Sequence, residues 1–232
     1  MQGLLDAALA NPWRTLDTLL DEPLHPGGTA ATDQLLDRAG VGPETRLLEV
    51  GCGAGDALAL ARERGADAVG IDPAPGVNCA VSGDATALPV RDGSVDVVLA
   101  ECVLCLTDLP QSLAEAHRVL DDGGRLALSD VVIEGDQPAV PEQVADALCL
   151  TGARSRDRLR KQLETAGFTV KEVYDHHEDL LAMRDRVRQR IDYEGLLATM
   201  GERGQRVRDG IQDLEDAVES GRIGYVSIVA RG

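Results

Sequence analysis

The segment Arg46-Leu47-Leu48-Glu49-Val50-Gly51-Cys52-Gly53-Ala54-Gly55 constrains this chain most. A short apolar run of strand type feeds into three glycines at alternate positions. A helical pattern then continues to about Arg64. Glycines at such a junction allow a tight turn and close approach of the main chain to a ligand. Short apolar runs alternate with helical stretches through residue 135, with strands predicted over Ala68–Ile71, Val77–Val81, Val95–Ala100 and Arg125–Val131. That alternation predicts parallel βαβ units and an α/β fold. A helix from about Gln111 to Leu120 is expected to stop at Asp121-Asp122-Gly123-Gly124.

The flanks read differently. Residues 1–45 are helical and loop-rich, broken by Pro12, Pro23, Pro26, Gly27 and Gly28, and are expected to form an N-terminal helical cap on a domain spanning 46–232. Helices are expected near 141–150 and 156–166, with a strand over Phe168–Tyr174. Leu180, Met183, Val187 and Ile191 step at helical intervals, as do Val207, Ile211, Leu214 and Val218. With Gly201 and Gly204 between them, they predict a helical hairpin over 178–220. The run Ile223–Ala230 reads as a closing strand.

Composition narrows the function. The chain has 23 Lys+Arg against 40 Asp+Glu, a net charge of −17, and such a body repels phosphate backbones. Nucleic acid is therefore not an expected partner. No apolar run reaches the ~20 residues of a membrane span, and Met1 opens no signal-peptide pattern, so a cytoplasmic protein without a membrane partner is expected. The aromatic residues are Trp13, Phe168, Tyr174, Tyr193 and Tyr225, too few for an aromatic cage or a base-stacking platform. Five cysteines do not make a disulfide scaffold in a chain of this size; they read as core thiols, soft-centre ligands or redox groups.

Three acids extend the glycine loop into a nucleoside pocket. Asp72 ends the second predicted strand, 23 positions after Glu49, where a carboxylate can accept both hydroxyls of a ribose. Asp84 follows the third predicted strand, within reach of an adenine amine. A glycine loop alone also fits NAD or FAD. Here the spacing is G-x-G-x-G, an acid precedes the first glycine by two positions, and an Asp84-Ala85 pair follows the third strand. Together these favour S-adenosylmethionine.

The runs Leu47–Leu60, Val69–Asp72, Gly83–Pro89, Asp92–Val98 and Ala114–Gly124 resemble the class I S-adenosylmethionine-dependent methyltransferases in the family's own order. The resemblance implies a Rossmann-like, seven-stranded, mostly parallel sheet whose last strand, Ile223–Ala230, runs antiparallel. It also implies that Glu49, Gly51, Gly53 and Gly55, with Cys52 among them, border the cofactor's methionine part. Asp72, beside Pro73, would bind the ribose, and Asp84 and Ala85 the adenine. Glu101 and Cys102 would face the sulfonium and the acceptor. One departure is plain: only Pro73-Ala74-Pro75-Gly76 stands where the family has a helix, a shortened second crossover that leaves the adenine side more open.

A narrower resemblance, over about residues 95–170, is to arsenite methyltransferases. Ser129-Asp130-Val131, Cys102-Val103 and Cys149-Leu150-Thr151-Gly152-Ala153 carry it, and in that family the Cys149 position ligates arsenic. The family's further cysteines are missing here; Leu24-His25-Pro26 stands at the N-terminal position. Cys102, Cys105, Cys149 and His25 are thus the catalytic candidates. Cys52 and Cys79 read as small buried hydrophobes, and His176-His177 as surface. Glu101, Asp130 and His25 are the possible bases.

The expected activity is methyl transfer to a small, soft acceptor, a thiol or As(III). Transfer to oxygen or carbon of a metabolite and non-catalytic cofactor binding stay open as alternatives. No metal cofactor is expected, and the protein is expected to be a monomer or homodimer.

Overall fold

Alternation along the strands sorts the apolar residues onto two faces. Leu47 and Leu48, Val97 and Val98, and Leu126 and Ala127 are all buried, and each pair divides between two separate hydrophobic clusters. Successive strand side chains point to opposite sides, so a sheet apolar on both must be covered on both. The computed structural model describes residues 25–74, 81–140, 142–190 and 201–232, and it shows that arrangement.

Helix α1 (Gly28–Arg38) precedes strand β1 (Arg46–Val50), which runs through the glycine loop into α2 (Asp56–Glu63) and β2 (Asp67–Asp72). Next come β3 (Val81–Ser82), β4 (Val95–Glu101), a 3-10 turn at Leu104–Leu106 and α3 (Leu109–Val119). Strand β5 (Leu120–Ile133) leads to α4 (Glu142–Ala147), α5 (Arg156–Thr165) and β6 (Thr169–Asp175). The chain continues through α6 (His177–Arg190), α7 (Gly201–Glu219) and β7 (Ile223–Arg231).

The seven strands form one sheet in the order β3-β2-β1-β4-β5-β7-β6. Strands β1 to β5 pair in parallel, and β7 inserts antiparallel between β5 and β6. One face carries α1 and α2, through Leu35, Leu36, Leu58 and Ala61. The other carries α3 and α5, through Leu113, Ala116, Leu159 and Leu163. Burying one such leucine stabilises the fold by about 1.5–3 kcal/mol. The Rossmann-like sheet with an antiparallel last strand is thus as the sequence implied. Only residues 73–80 separate the parallel strands β2 and β3, fewer than a helical crossover needs.

Several boundaries differ from expectation. Helix α3 ends one residue early, with Leu120 already extended, and β5 starts there rather than at Arg125. Gly123, with φ of 77°, turns the irregular entry of that strand instead of capping the helix. Gly201 and Gly204, expected between two helices, stand in the first turn of α7. Helices α6 and α7 are joined by the ion pair of Arg188 with Glu215, and Ala217 and Val218 bury α7 against Ile133 and Ile223. His176 is not at the surface: it is 2% exposed, because the end of β6 pairs with β7 and carries the ring inward. Residues 1–24 of the expected cap with Trp13, residues 77–80 with Cys79, and Ile191 and Tyr193 lie outside the described residues.

Candidate active site

Strand β1 ends at Val50, and the chain turns through Gly51, Gly53 and Gly55 with φ of 75°, 48° and 88°. Side-chain-bearing residues rarely adopt that backbone. The N–H groups of Gly51 and Cys52 donate to the Ile71 carbonyl at 2.7 and 3.2 Å, and Gly53 N–H donates to Asp72 Oδ2 at 3.0 Å. The loop is thus laced to the end of β2. A Cβ on Gly51 would lie 2.2 Å from Val103 Cγ2, whereas one on Gly53 would meet nothing within 4 Å. Gly51 is packed against the opposite wall, and Gly53 opens onto space.

That space is a cleft of about 850 Å³, within the ~300–1,000 Å³ range of small-molecule sites. The structure places Glu49, Gly51, Cys52, Gly53 and Gly55 on its border, together with Asp72, Pro73, Asp84, Ala85 and Glu101. Of the four catalytic candidates, His25 and Cys102 line it. Cys105 and Cys149 do not; both are buried beyond the Cys102 segment. No described residue after Asp108 borders the cleft, so the α6–α7 hairpin does not cover it there.

Glu49 is 6% exposed, and its Oε2 has no hydrogen-bond partner. Burial, with the charges of Glu101 and Asp56 beside it, pushes its carboxyl up to about 8. Asp84 is opposite in kind. Its Oδ1 accepts from both N–H and Oγ of Thr86 at 2.8 Å, and these bonds hold it below the usual carboxylate range.

A chain of polar groups starts on one wall with His25, Thr32 and Glu101 and continues behind it to Ser129 and Tyr225. His25 Nε2 lies 3.2 Å from Thr32 Oγ1, and Thr32 donates to Glu101 Oε2 at 3.0 Å. Ser129 Oγ donates to Glu101 Oε1 at 3.4 Å, Tyr225 Oη donates to Ser129 Oγ at 2.6 Å, and the Cys102 thiol meets Tyr225 Oη at 3.6 Å. The ring of His25 stacks on Tyr225 with centroids 6.4 Å apart. Sequence reasoning found His25, Glu101 and Cys102 but not Thr32 or Tyr225. The seven-residue step from His25 to Thr32 places both near one turn face, a signal too common to single them out.

Among the described residues Cys102, Cys105 and Cys149 are free and close together, whereas Cys52, read from the sequence as a core thiol, is disulfide-bonded. Cys149 Sγ donates to the Cys102 carbonyl at 3.7 Å, and Cys102 and Cys149 hold φ of 54° and 58°, unusual for residues other than glycine. Contact with Cys149 and burial keep the Cys102 thiol well above the ordinary thiol range. At Cys105 the bond to Cys149 lowers it, and burial and Asp130 outweigh that; Cys149 too is pushed up, its contact with Cys105 and burial overcoming its bond to Cys102. Asp130, 5% exposed, is pushed up to about 6 by burial and accepts the Cys105 N–H at 2.9 Å.

Gly152 closes this packing. A Cβ there would lie 1.7 Å from the Cys105 carbonyl oxygen, a main-chain atom that cannot swing away. Gly152→Ala is expected to destabilise the protein by about 1–3 kcal/mol. At about 2–4 °C per kcal/mol for a chain of this size, calorimetry reads this as a lowered Tm, and an unchanged Tm would refute the close packing.

Known proteins are similar to this chain in sequence and in fold. A family model described as a methyltransferase domain matches residues 48–128. The chain is 32% identical over 231 residues to methyltransferase GfsG of Streptomyces halstedii, covering 90% of this chain and 82% of that protein. It is 35% identical over 156 residues to the arsenite methyltransferase of Halobacterium salinarum, covering 58% of this chain and 40% of that protein. Among solved structures, the geranyl diphosphate C-methyltransferase of Streptomyces coelicolor superposes with a TM-score of 0.69, covering 88% of this chain and 78% of that one. At 17% identity that likeness is one of fold.

Proposed function

Because this chain belongs to the class I S-adenosylmethionine-dependent methyltransferases, and takes that cofactor, we propose that its acceptor is a hydroxyl of a small molecule and that His25 takes the hydroxyl proton. The observation that carries this reading is the His25–Thr32–Glu101 chain on the wall of the cleft.

The residues present fit the cofactor. An orphaned, buried carboxylate at Glu49 suits its cationic end, and the open space above Gly53 leaves room for close main-chain approach. Asp72, held by the N–H groups of Gly53 and Ala74, keeps lone pairs for two ribose hydroxyls. Asp84 and Ala85 border the adenine end, and Glu101 and Cys102 lie toward the acceptor. S-adenosylmethionine supplies a methyl group already activated by its sulfonium.

The protein adds alignment and a place for a proton. Thr32 has one hydroxyl proton. Directed to Glu101, it leaves Thr32 Oγ1 to accept from His25 Nε2–H, so Nδ1 holds the lone pair. The acceptor O–H, in place of the Pro26 carbonyl 3.3 Å from Nδ1, would donate to that lone pair. The O–H bond breaks as its oxygen bonds the methyl carbon, the N–H bond forms at Nδ1, and Glu101 balances the new charge through Thr32. Asp130, which does not line the cleft, has no part in this step.

A soft acceptor is the second reading, favoured by the clustering of three free thiols. Of the three, only Cys102 reaches the cleft, so no pair of these thiols faces the acceptor side to hold As(III) there. Labelled methyl transfer to phenols, aliphatic alcohols, thiols, selenite and As(III) separates the readings. O-methyl products are expected; label confined to thiols, selenium or arsenic would overturn the proposal.

Glu49 makes cofactor affinity depend on pH. A bound cation favours the ionised carboxylate, so binding from the state with pKa about 8 releases a proton at neutral pH. Affinity is expected to rise with pH toward 8 and then level off, with the dependence lost in Glu49→Gln. Without cofactor the sign is reversed for stability. The folded pKa lies above the ordinary 4.5, so the contribution is full below about 4.5 and is lost as pH rises through about 8. Calorimetry in buffers of differing ionisation enthalpy counts the proton; no buffer dependence would refute the assignment.

A further inference from the structure

We propose that Cys105, Cys149 and Asp130 form a binding site for Zn2+ that is separate from the cofactor cleft and braces its acceptor-side wall. The two sulfur atoms and a carboxylate oxygen all lie within 4.8 Å of one another, and all three residues are buried. A tetrahedral zinc with bonds of about 2.3 Å to sulfur and about 2.0–2.2 Å to oxygen needs donor atoms about 3.5–3.8 Å apart. Donor atoms within 4.8 Å of one another stand near that spacing.

The donor set selects the ion. Two thiolates and one carboxylate suit borderline-soft Zn2+, whereas Mg2+ and Ca2+ require oxygen ligands and Cu(I) prefers sulfur throughout. Three protein ligands leave a fourth position for water or another small ligand.

The surroundings hold the donors in place. Asp130 Oδ2 accepts Cys105 N–H and Oδ1 accepts Val131 N–H, both at 2.9 Å, so the carboxylate is oriented from both sides and keeps further lone pairs. Arg154 is the cation whose charge reaches Asp130, and among the described residues the two form no ion pair within 4.0 Å, which leaves the buried carboxylate room for a closer positive charge. Gly152 lets the Cys149 segment close onto the Cys105 carbonyl, and the left-handed backbone of Cys149 is strain stored at the same spot.

Three separate parts of the chain therefore converge: the segment after β4, the end of β5 and the turn after α4. None of the three donors lines the cleft, but Cys102 and Val103, next to them in the chain, do. Zinc binding joins Cys105 to Cys149 and Asp130 and so fixes the wall that carries Cys102. It forms two Zn–S bonds and one Zn–O bond and releases the two thiol protons to solvent, with no change of oxidation state. The proposal is independent of the acceptor's identity.

The test is Co2+ and Zn2+ binding to the intact protein with the Cys52 disulfide kept and Cys102, Cys105 and Cys149 as thiols. One equivalent of Co2+ is expected to produce sulfur-to-cobalt charge-transfer absorption in the near ultraviolet, which equimolar Zn2+ displaces, and Zn2+ is expected to raise Tm. Cys105→Ser and Cys149→Ser are expected to lose the band, Asp130→Asn to weaken binding at least tenfold, and Cys102→Ser to keep it. Absence of the band in the intact protein overturns the proposal whether or not the variants fold. A band that survives in both Cys105→Ser and Cys149→Ser overturns it as well.

Discussion

Replacing His25 by alanine is expected to lower kcat by about 10²- to 10⁴-fold, the usual contribution of a positioned base. The acceptor hydroxyl would keep its proton in the approach to the methyl group, and among the described residues no other uncommitted base borders the cleft on that wall. Thr32 donates its hydroxyl proton to Glu101, and Glu101 is already occupied by Thr32 and Ser129. The loss should appear in kcat, with the dissociation constant of S-adenosylmethionine nearly unchanged, because His25 meets the polar wall and not the glycine loop. Thr32→Val is expected to give a smaller loss, since the ring keeps its basic atom but loses its tie to Glu101. Single-turnover kinetics with a labelled methyl donor measure both. An alanine variant with wild-type turnover on a hydroxyl acceptor would remove His25 from the mechanism.

Asp72→Ala is expected to weaken cofactor binding by about 1.5–3 kcal/mol, or about 10- to 150-fold, the range for losing hydrogen bonds to a charged group. Two effects contribute in the same direction. The ribose loses its carboxylate, and Gly53 N–H loses the acceptor that holds the glycine loop against β2 at 3.0 Å. Asp72→Asn separates them, because an amide oxygen can still accept from Gly53 while the charge is gone. Its affinity should fall between those of the wild type and the alanine variant. Titration calorimetry reads the three values; an alanine variant with unchanged affinity would refute the ribose assignment.

Much of the cleft was legible in the sequence because its rules are local. Gly51, Gly53 and Gly55 sit on alternate positions at a strand end, and all three take left-handed backbone that other residues disfavour. Asp72 and Asp84 close strands on the same edge of a parallel sheet, so a ligand lying across the strand ends meets both. Where expectation failed, a distant partner decided. His176 reads as polar and terminal, yet β7 pairing buries it, with Nε2 2.8 Å from Ser227 Oγ and Nδ1 2.8 Å from Asp179. Cys105 and Cys149 read as neighbours of the acceptor, yet the turn of Leu104–Leu106 and the packing of Gly152 direct them away from it.

The sequence by itself determined the sheet, the glycine turn and the acids at the strand ends, because strand period, helix period and glycine backbone are set by residues a few positions apart. Only the tertiary structure decided the chemistry around the acceptor. Thr32 meets Glu101 across 69 positions of chain, and Cys102 meets Tyr225 across 123. Such contacts depend on how α1 and β7 pack on the sheet, and no local preference encodes a side chain's partner at that range. The same packing put Cys102 on the wall of the cleft and Cys105 and Cys149 behind it, which divides a single cluster of thiols between a proposed acceptor site and a proposed metal site.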